Sequence, residues 1–134
     1  MYIPEKRKNR QITLFDFNQS CGMELDPINE WIKLAHAIPW SKMEAKYVAM
    51  FPSKTGRPAT PFRMALGVLI IQKRKKLSDR DVIKEIQENP YLQYFLGMES
   101  RWHQESLSQD LQCHLSVYWQ PLHFCFRSWV HALL

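Results

Sequence analysis

A chain of 134 residues has room for one small domain and a tail, but not for a second full catalytic domain. Lysine and arginine number 18 against 13 aspartates and glutamates, and the net charge of +5 favours a polyanionic partner without identifying one. The odd cysteine count of 3 and an N-terminus without an apolar signal segment argue against a secreted disulfide framework. The longest apolar run, near residues 64–71, is far shorter than the roughly 20 residues that cross a bilayer. We therefore expect a cytoplasmic protein without membrane contact.

Residues 1–25 are expected to form an arm before the main domain. They begin basic and polar and then alternate in the stretch ITLFDF, residues 12–17, which predicts a short strand or an extended segment laid on the core. A first helix is predicted to open with Asp26 as N-cap and Pro27 in its first turn, and to end before Pro39. Its apolar face would consist of Ile28, Trp31, Ile32 and Ala35.

A second helix is predicted from residue 41 onward. Ser41 and Glu44 have the spacing of a capping box, in which the serine oxygen accepts from a free amide and the glutamate reaches back. The apolar side of this helix would carry Met43, Tyr47, Met50 and Phe51. Residues 52–58 then combine turn-forming residues with two positive charges, which is typical of an exposed connection.

The third helix is the predicted centre of the fold. Thr60 is expected to cap it with Pro61 at its first position, and its body from residue 62 to residue 71 is apolar on almost every side. Such a helix must be buried on several sides. Gly67 lies inside it at a cost of about 1 kcal/mol relative to alanine, which predicts that another helix approaches closely there.

The fourth and fifth helices are short and follow at once. Ser78 and Asp81 predict the start of the fourth helix, which turns Val82, Ile83 and Ile86 inward. Asn89-Pro90 restarts the chain as a last helical segment up to Gly97. We therefore predict an all-α domain at residues 26–98, with four to five short helices and a helix-turn-helix-like hairpin, followed by an irregular tail at residues 99–134.

Positive charge is concentrated where the third helix ends and the fourth begins. Two helices joined by a short turn, with cations at the junction, are typical of a helix-turn-helix that sets one helix across DNA phosphates. Cations in the last turn of a helix are also stabilised by the negative end of its dipole, by roughly 0.3–1 kcal/mol each, without any ligand. From the residues alone, nucleic-acid contact and solvated helix-terminal charge both stay open.

The candidate DNA-binding residues are the cations of this junction and two that precede it in the chain. They are Arg57, Arg63, Lys73, Arg74, Lys75, Lys76, Arg80 and Lys84. The fourth helix also offers acidic side chains that would repel phosphate, namely Asp79, Asp81, Glu85 and Glu88. We therefore expect the cations to position the protein on DNA rather than to read bases.

No metal site, cofactor or small-molecule substrate is predicted. Asp79 and Asp81 could be imagined as a metal-binding pair, but both fall in a first helical turn, where acids stabilise the helix N-terminus. The tail contains His103, Cys113, His114, His123 and Cys125, whose spacing matches no closed zinc pattern. A Cys–His nucleophilic pair would lack a third group to orient it. The aromatic residues Trp31, Trp40, Tyr91, Tyr94 and Phe95 are interpreted as core rather than as a base-stacking platform.

Several short stretches occur in an order that carries a resemblance. They are LFDF at 14–17, IPW at 38–40, FPS at 51–53, GRP at 56–58, IIQ at 70–72, LSDR at 77–80, ENPY at 88–91 and YFLG at 94–97. Their order and spacing over residues 12–98 resemble the N-terminal domain of bacterial insertion-sequence transposases of the InsH type, which belong to the DDE class. No single stretch would be persuasive alone.

The resemblance implies an all-helical module that precedes an RNase H-like DDE catalytic domain. Such a module would bind the terminal inverted repeats of its element and could pair two protomers. After residue 98 the chain departs from the family pattern, and none of the family's catalytic residues can be placed on it. Residues 99–134 contain no lysine or glycine but hold four of the five histidines, which favours a frameshifted or divergent tail.

We therefore predict the DNA-binding N-terminal module of an insertion-sequence transposase, acting in DNA transposition and recombination in the bacterial cytoplasm. It would be truncated before the catalytic domain and not an active enzyme as it stands. The alternative is a helical oligomerisation module without direct DNA contact. In that case a homodimer would be held by apolar residues such as those from Tyr91 to Phe95.

Overall fold

The computed structural model describes residues 13, 14, 17, 24–49 and 59–98, and these residues form five α-helices and no strand. The helices are α1 (Glu30–Ala37), α2 (Trp40–Ala49), α3 (Phe62–Lys75), α4 (Asp79–Glu88) and α5 (Pro90–Leu96). The predicted all-α fold is confirmed. Within this part of the chain, no helix is both long enough and apolar enough to span a bilayer.

Helix α5 lies at the centre of the packing, since it contacts α1, α3 and α4, while α2 packs on α3. The ring of Phe95 meets the ring of Trp31 at 5.3 Å and that of Trp40 at 5.5 Å, both edge to face. These three side chains are buried, as is Tyr94. Tyr91 is only partly buried. The interpretation of these aromatic residues as core is therefore confirmed for the four that are fully enclosed.

Helix α3 is buried almost throughout, from Phe62 to Gln72. At Gly67, a Cβ atom would lie 2.4 Å from Cδ2 of Leu96 in α5, so a larger residue would require the Leu96 side chain to shift. The predicted close approach at Gly67 is confirmed, and the approaching helix is α5.

Two of the predicted helix starts are also confirmed. The Ser78 hydroxyl accepts a hydrogen bond from the Asp81 amide at 3.3 Å at the start of α4, which buries Val82, Ile83 and Ile86. The Asn89 side chain accepts from the Tyr91 amide at 3.0 Å at the start of α5. Side-chain capping of this kind satisfies amides that have no partner within the helix.

The predicted start of α1 is wrong by several residues. Asn29 is the N-cap and accepts from the Trp31 amide at 2.9 Å, whereas Asp26 accepts from the Ile28 amide at 2.9 Å in a local turn before the helix. Ile28 is 71% exposed and does not join the apolar face, which consists of Trp31, Ile32 and Ala35. The side chains of Asp26 and Asn29 can both cap a helix. The apolar face, which begins at Trp31, favours Asn29.

The capping box at residues 41–44 is not formed at a helix start, because α2 already begins at Trp40. The indole of Trp40 donates to the Ala35 carbonyl at 2.9 Å, which ties the first residue of α2 to the end of α1. Thr60 likewise does not cap α3, whose N-cap is Pro61. Thr60 is buried and its carbonyl accepts from the Tyr47 hydroxyl at 3.0 Å.

The described part of the N-terminal arm contacts the core. Phe17 is buried and meets the ring of Tyr94 edge to face at 5.4 Å. Its amide donates to the Thr13 carbonyl at 3.2 Å, and neither residue belongs to a strand. Several predictions concern residues outside the described ranges: the apolar roles of Met50 and Phe51, the connection at 52–58, and the tail.

Candidate nucleic-acid interface

The junction of α3 and α4 is a tight turn of three residues, 76–78. Lys76 adopts a left-handed conformation, with φ 55° and ψ 42°, and its amide donates to the Gln72 carbonyl. The Leu77 amide donates to the same carbonyl at 3.0 Å, so the last turn of α3 is closed by two hydrogen bonds. We call the cations around this turn the basic corner: Lys73, Arg74, Lys75, Lys76, Arg80 and Lys84.

Arg74 links the basic corner to α1. Its Nη2 lies 3.0 Å from Oε2 of Glu30, and the guanidinium carbon lies 5.5 Å from the centre of the Trp31 ring. The side chain of Arg74 is therefore held between a carboxylate and an aromatic face. One cation of the corner thus connects α3 to α1 through its side chain.

Lys75 links the basic corner to α4, because its ammonium group pairs with the Glu85 carboxylate. The hydrogen bond from Lys75 lowers the pKa of Glu85 below its ordinary value, so the pair is ionised at neutral pH. Lys84 lies 3.9 Å from Glu88 one turn further along α4, and both side chains are largely exposed. Such an exposed pair contributes little to stability.

Lys73, Lys76 and Arg80 are exposed as well. Lys76 and Arg80 have no carboxylate within ion-pairing distance among the described residues. The two acids of the first turn of α4 make local hydrogen bonds. Asp79 accepts from Gln72 Nε2 at 2.6 Å, and Asp81 accepts from the Ser78 hydroxyl at 2.5 Å. Both acids lie in the first turn of α4, as predicted, while Ser78 is its N-cap. No set of metal ligands occurs within the described ranges.

The assignment of Arg63 to the DNA-binding set is corrected. Arg63 is 1% exposed, and it donates to the Phe95 carbonyl at 2.9 Å and to the Tyr94 carbonyl at 3.0 Å. Its guanidinium carbon also lies 5.1 Å from the centre of the Trp40 ring. Burial lowers the pKa of Arg63 to about 10, and the group stays protonated at neutral pH. Arg63 therefore closes the C-terminal end of α5 inside the core and cannot reach DNA. Arg57 lies outside the described residues.

The apolar segment proposed for a homodimer is used within the domain itself. Leu92, Tyr94 and Phe95 are at most 1% exposed and pack in the core formed by the five helices. The same side chains cannot also present an apolar face to a second copy. These three residues are therefore not available for a homodimer contact, and the homodimer itself stays a prediction.

Sequence reasoning missed the partners of Arg74 and Lys75. Glu30 precedes Arg74 by 44 residues, and no local pattern connects them. Glu85 follows Lys75 by 10 residues across the turn. Once a short hairpin is predicted, a carboxylate on the inner side of α4 opposite the end of α3 is a natural partner. The Lys75–Glu85 pair could therefore be predicted from the sequence, whereas the Arg74–Glu30 pair could not.

Comparison with known proteins identifies a relative and a family of this chain. The chain is similar over 80 residues to the uncharacterized protein ORF8 in the nfe locus of Rhizobium meliloti, with 31% identity. The match covers 60% of this chain and 38% of the length of that relative. No solved structure matches. The family model described as Transposase domain (DUF772) matches residues 19–110, which is more than half of the chain. This chain therefore belongs to the DUF772 transposase domain family.

Proposed function

We propose that this chain is a DNA-binding module of an insertion-sequence transposase, and that it holds the terminal inverted repeats of its element through the basic corner. One observation carries the proposal: Lys73, Lys76 and Arg80 lie exposed around a single tight turn of a transposase domain. Exposed lysines and arginines of this kind can neutralise phosphates along a duplex. The helix-turn-helix character of α3 and α4 belongs to the same proposal.

The proposed contact is with phosphates rather than with bases. The exposed side of α4 carries Asp79, Asp81 and Glu88 beside Arg80 and Lys84. If α4 entered a groove of the duplex, these carboxylates would be repelled by the phosphates that flank the groove. We therefore place the end of α3 and the turn against the backbone, where they would fix orientation without conferring sequence specificity.

The proposal predicts a steep salt dependence. Each phosphate contact contributes about −0.9 to the slope of log K against log salt on duplex DNA. Loss of three contacts should therefore reduce the slope by about 3. The proposed role is attachment to DNA, and the described residues take no part in strand cleavage under it. A cytoplasmic location follows from access to bacterial DNA.

The test compares two triple variants of the full chain that remove equal charge. The first is Lys73→Gln/Lys76→Gln/Arg80→Gln, in the basic corner. The second is Lys33→Gln/Lys42→Gln/Lys46→Gln, which neutralises exposed lysines of α1 and α2. Binding is measured by fluorescence anisotropy with labelled duplexes taken from the DNA that flanks the coding sequence, over a range of salt.

We expect the corner variant to lose most of the affinity and the salt slope, and the control variant to stay close to the wild type. Equal losses in both variants would show that only net charge matters and would contradict the assigned surface. Absence of any binding by the wild type at low salt would contradict the proposed function itself.

A further inference from the structure

Two cations of the basic corner are held in ion pairs by carboxylates from other helices. We propose that Glu30 and Glu85 mask Arg74 and Lys75 from DNA, so that phosphate must displace these carboxylates before either cation can contribute to binding. The inference rests on the proposed function, and it identifies two acidic residues that set the affinity of the site. It also divides the corner into exposed cations and masked cations.

Of the two contacts of the Arg74 guanidinium, only the ion pair with Glu30 masks it from phosphate, because the other contact is with the Trp31 ring. The guanidinium lies against the Trp31 ring and pairs with Glu30 at 3.0 Å, yet the Glu30 side chain is 62% exposed. The Glu30 carboxylate is therefore not held in place by burial. A phosphate oxygen approaching from solvent can therefore replace the carboxylate oxygen while the guanidinium stays on the ring.

The Lys75–Glu85 pair is more enclosed but still open to solvent. About one third of each side chain is exposed, 30% for Lys75 and 32% for Glu85. The lowered pKa of the Glu85 carboxyl is consistent with a close contact to the ammonium group. The charge of Lys75 is thus compensated by Glu85 in the absence of DNA, although Lys75 lies beside the exposed Lys76 in the sequence.

Glu88 provides a matched control on the same helix. It lies three residues after Glu85 and carries the same charge, but its distance from Lys84 is 3.9 Å and both groups are largely exposed. Its removal changes the net charge equally without releasing a tightly paired cation. A masking effect should therefore appear for Glu85 and Glu30 and not for Glu88.

Counterion release gives the size of the expected effect. A cation that stays paired with a carboxylate neutralises no phosphate and releases no counterion from the DNA, so it adds little to the salt slope. Removal of the carboxylate should add one phosphate contact and about 0.9 to the slope. Between about 200 mM and about 50 mM salt, one contact changes the relative affinity by about threefold.

The experiment uses the full chain and a labelled mixed-sequence duplex, with anisotropy titrations across that range of salt. The variants are Glu30→Gln, Glu85→Gln and Glu88→Gln, each with circular dichroism melting to show that the fold is retained. Glu85→Gln is also combined with Lys75→Gln, and Glu30→Gln with Arg74→Gln. We expect Glu85→Gln and Glu30→Gln to bind more tightly than the wild type, with a steeper slope, and this gain to vanish in the combined variants.

The outcomes separate this inference from the proposed function. Wild-type binding with no gain for Glu85→Gln or Glu30→Gln beyond that of Glu88→Gln overturns masking and leaves the proposed function intact. A gain that persists in the absence of Lys75 and Arg74 reveals long-range repulsion instead, and it also overturns masking. Absence of binding by the wild type and by all glutamate variants overturns both.

Discussion

Lys76 combines a backbone role with a charge, and the two can be separated. The left-handed conformation at φ 55° is unfavourable for a residue with a Cβ atom by about 1 kcal/mol or more, and glycine adopts it freely. Lys76→Gly should therefore raise the free energy of unfolding by up to about 1 kcal/mol, while Lys76→Ala should not. Urea denaturation measures the difference.

Both Lys76 variants should lose the same DNA affinity, since both remove one exposed cation from the basic corner. Equal stability of the two variants would show that the backbone conformation is not strained. A difference in affinity between them would show that the turn itself, and not only the charge of Lys76, contributes to binding.

Arg63 is expected to matter for stability rather than for DNA contact. Arg63→Met fills similar space but removes the guanidinium donor to the Phe95 carbonyl and one of the donors to the Tyr94 carbonyl, which also accepts from the Gly97 amide; this should lower the free energy of unfolding by about 1–3 kcal/mol. Chemical denaturation followed by tryptophan fluorescence checks this. Arg80→Met, on the exposed side of α4, is the control and should change stability by less than about 0.5 kcal/mol. A stable Arg63→Met protein with reduced DNA affinity would contradict the buried role.

The location of Arg63 could have been anticipated from its neighbours. It lies between Phe62 and Met64 in a helix that is apolar on almost every side, so a residue at that position must point inward. Its positive charge led to a surface assignment. In a buried helix, the position in the apolar pattern outweighs the charge when a backbone acceptor is available inside.

At the level of helices, the contact of α3 with α5 depends on Gly67. Gly67→Ala gains helix propensity of about 1 kcal/mol but places a Cβ atom 2.4 Å from Cδ2 of the buried Leu96. Overpacking of this kind costs about 1–3 kcal/mol, so we expect net destabilisation. Thermal unfolding of the single variant and of Gly67→Ala/Leu96→Val measures the effect. The smaller side chain should restore part of the loss, and failure to do so would argue against a clash with Leu96.

The link between α3 and α4 should depend on pH. The pKa of Glu85 in the folded state lies below its ordinary value of 4.5, so the Lys75 pair stabilises the fold above about pH 4.5. This contribution is lost as pH falls through the lower folded-state pKa. Lys75→Met should therefore cost up to about 1 kcal/mol at pH 7 and little at pH 3, as measured by urea denaturation. An equal cost at both pH values would show that Lys75 acts through packing.

Helix starts show how far local patterns predict elements. The start of α4 is predictable because Ser78 directly precedes a strongly amphipathic segment, so cap and apolar face agree. The start of α1 is not, because Asp26 and Asn29 both fit as caps and only the apolar face separates them. The start of α2 is fixed by a tertiary contact, the hydrogen bond from the Trp40 indole to Ala35, which no capping pattern reveals.

For the molecule as a whole, α5 makes the fold cooperative, because three other helices pack on it. Phe95→Ala would remove the ring that contacts Trp31 and Trp40, at a cost of about 3–5 kcal/mol. That is a large part of the roughly 5–15 kcal/mol of a typical domain. We expect circular dichroism and tryptophan fluorescence to report one coincident unfolding transition, shifted to lower temperature. Two separate transitions would show that α1 and α2 fold independently of α5.

The candidate site was less predictable than the fold, for a physical reason. Hydrophobic periodicity reports burial along one helix, so the five helices and most of the core follow from the sequence. Ion pairs such as Arg74–Glu30 depend on which helices become neighbours in space. The basic corner is therefore predictable from the sequence, whereas only the packed structure shows that Arg74 and Lys75 are paired with Glu30 and Glu85.

The contact of Arg63 with Gly97 has a geometric consequence for the rest of the chain. Arg63 occupies the second position of α3. It therefore holds the residues at the end of α5, which precede the buried Met98, near the N-terminal end of α3. Lys75, at the opposite end of α3, is about 18 Å away at a rise of 1.5 Å per residue. The end of α5 therefore lies near the end of α3 that is opposite Lys75. A duplex bound to the basic corner would contact the other end of that helix.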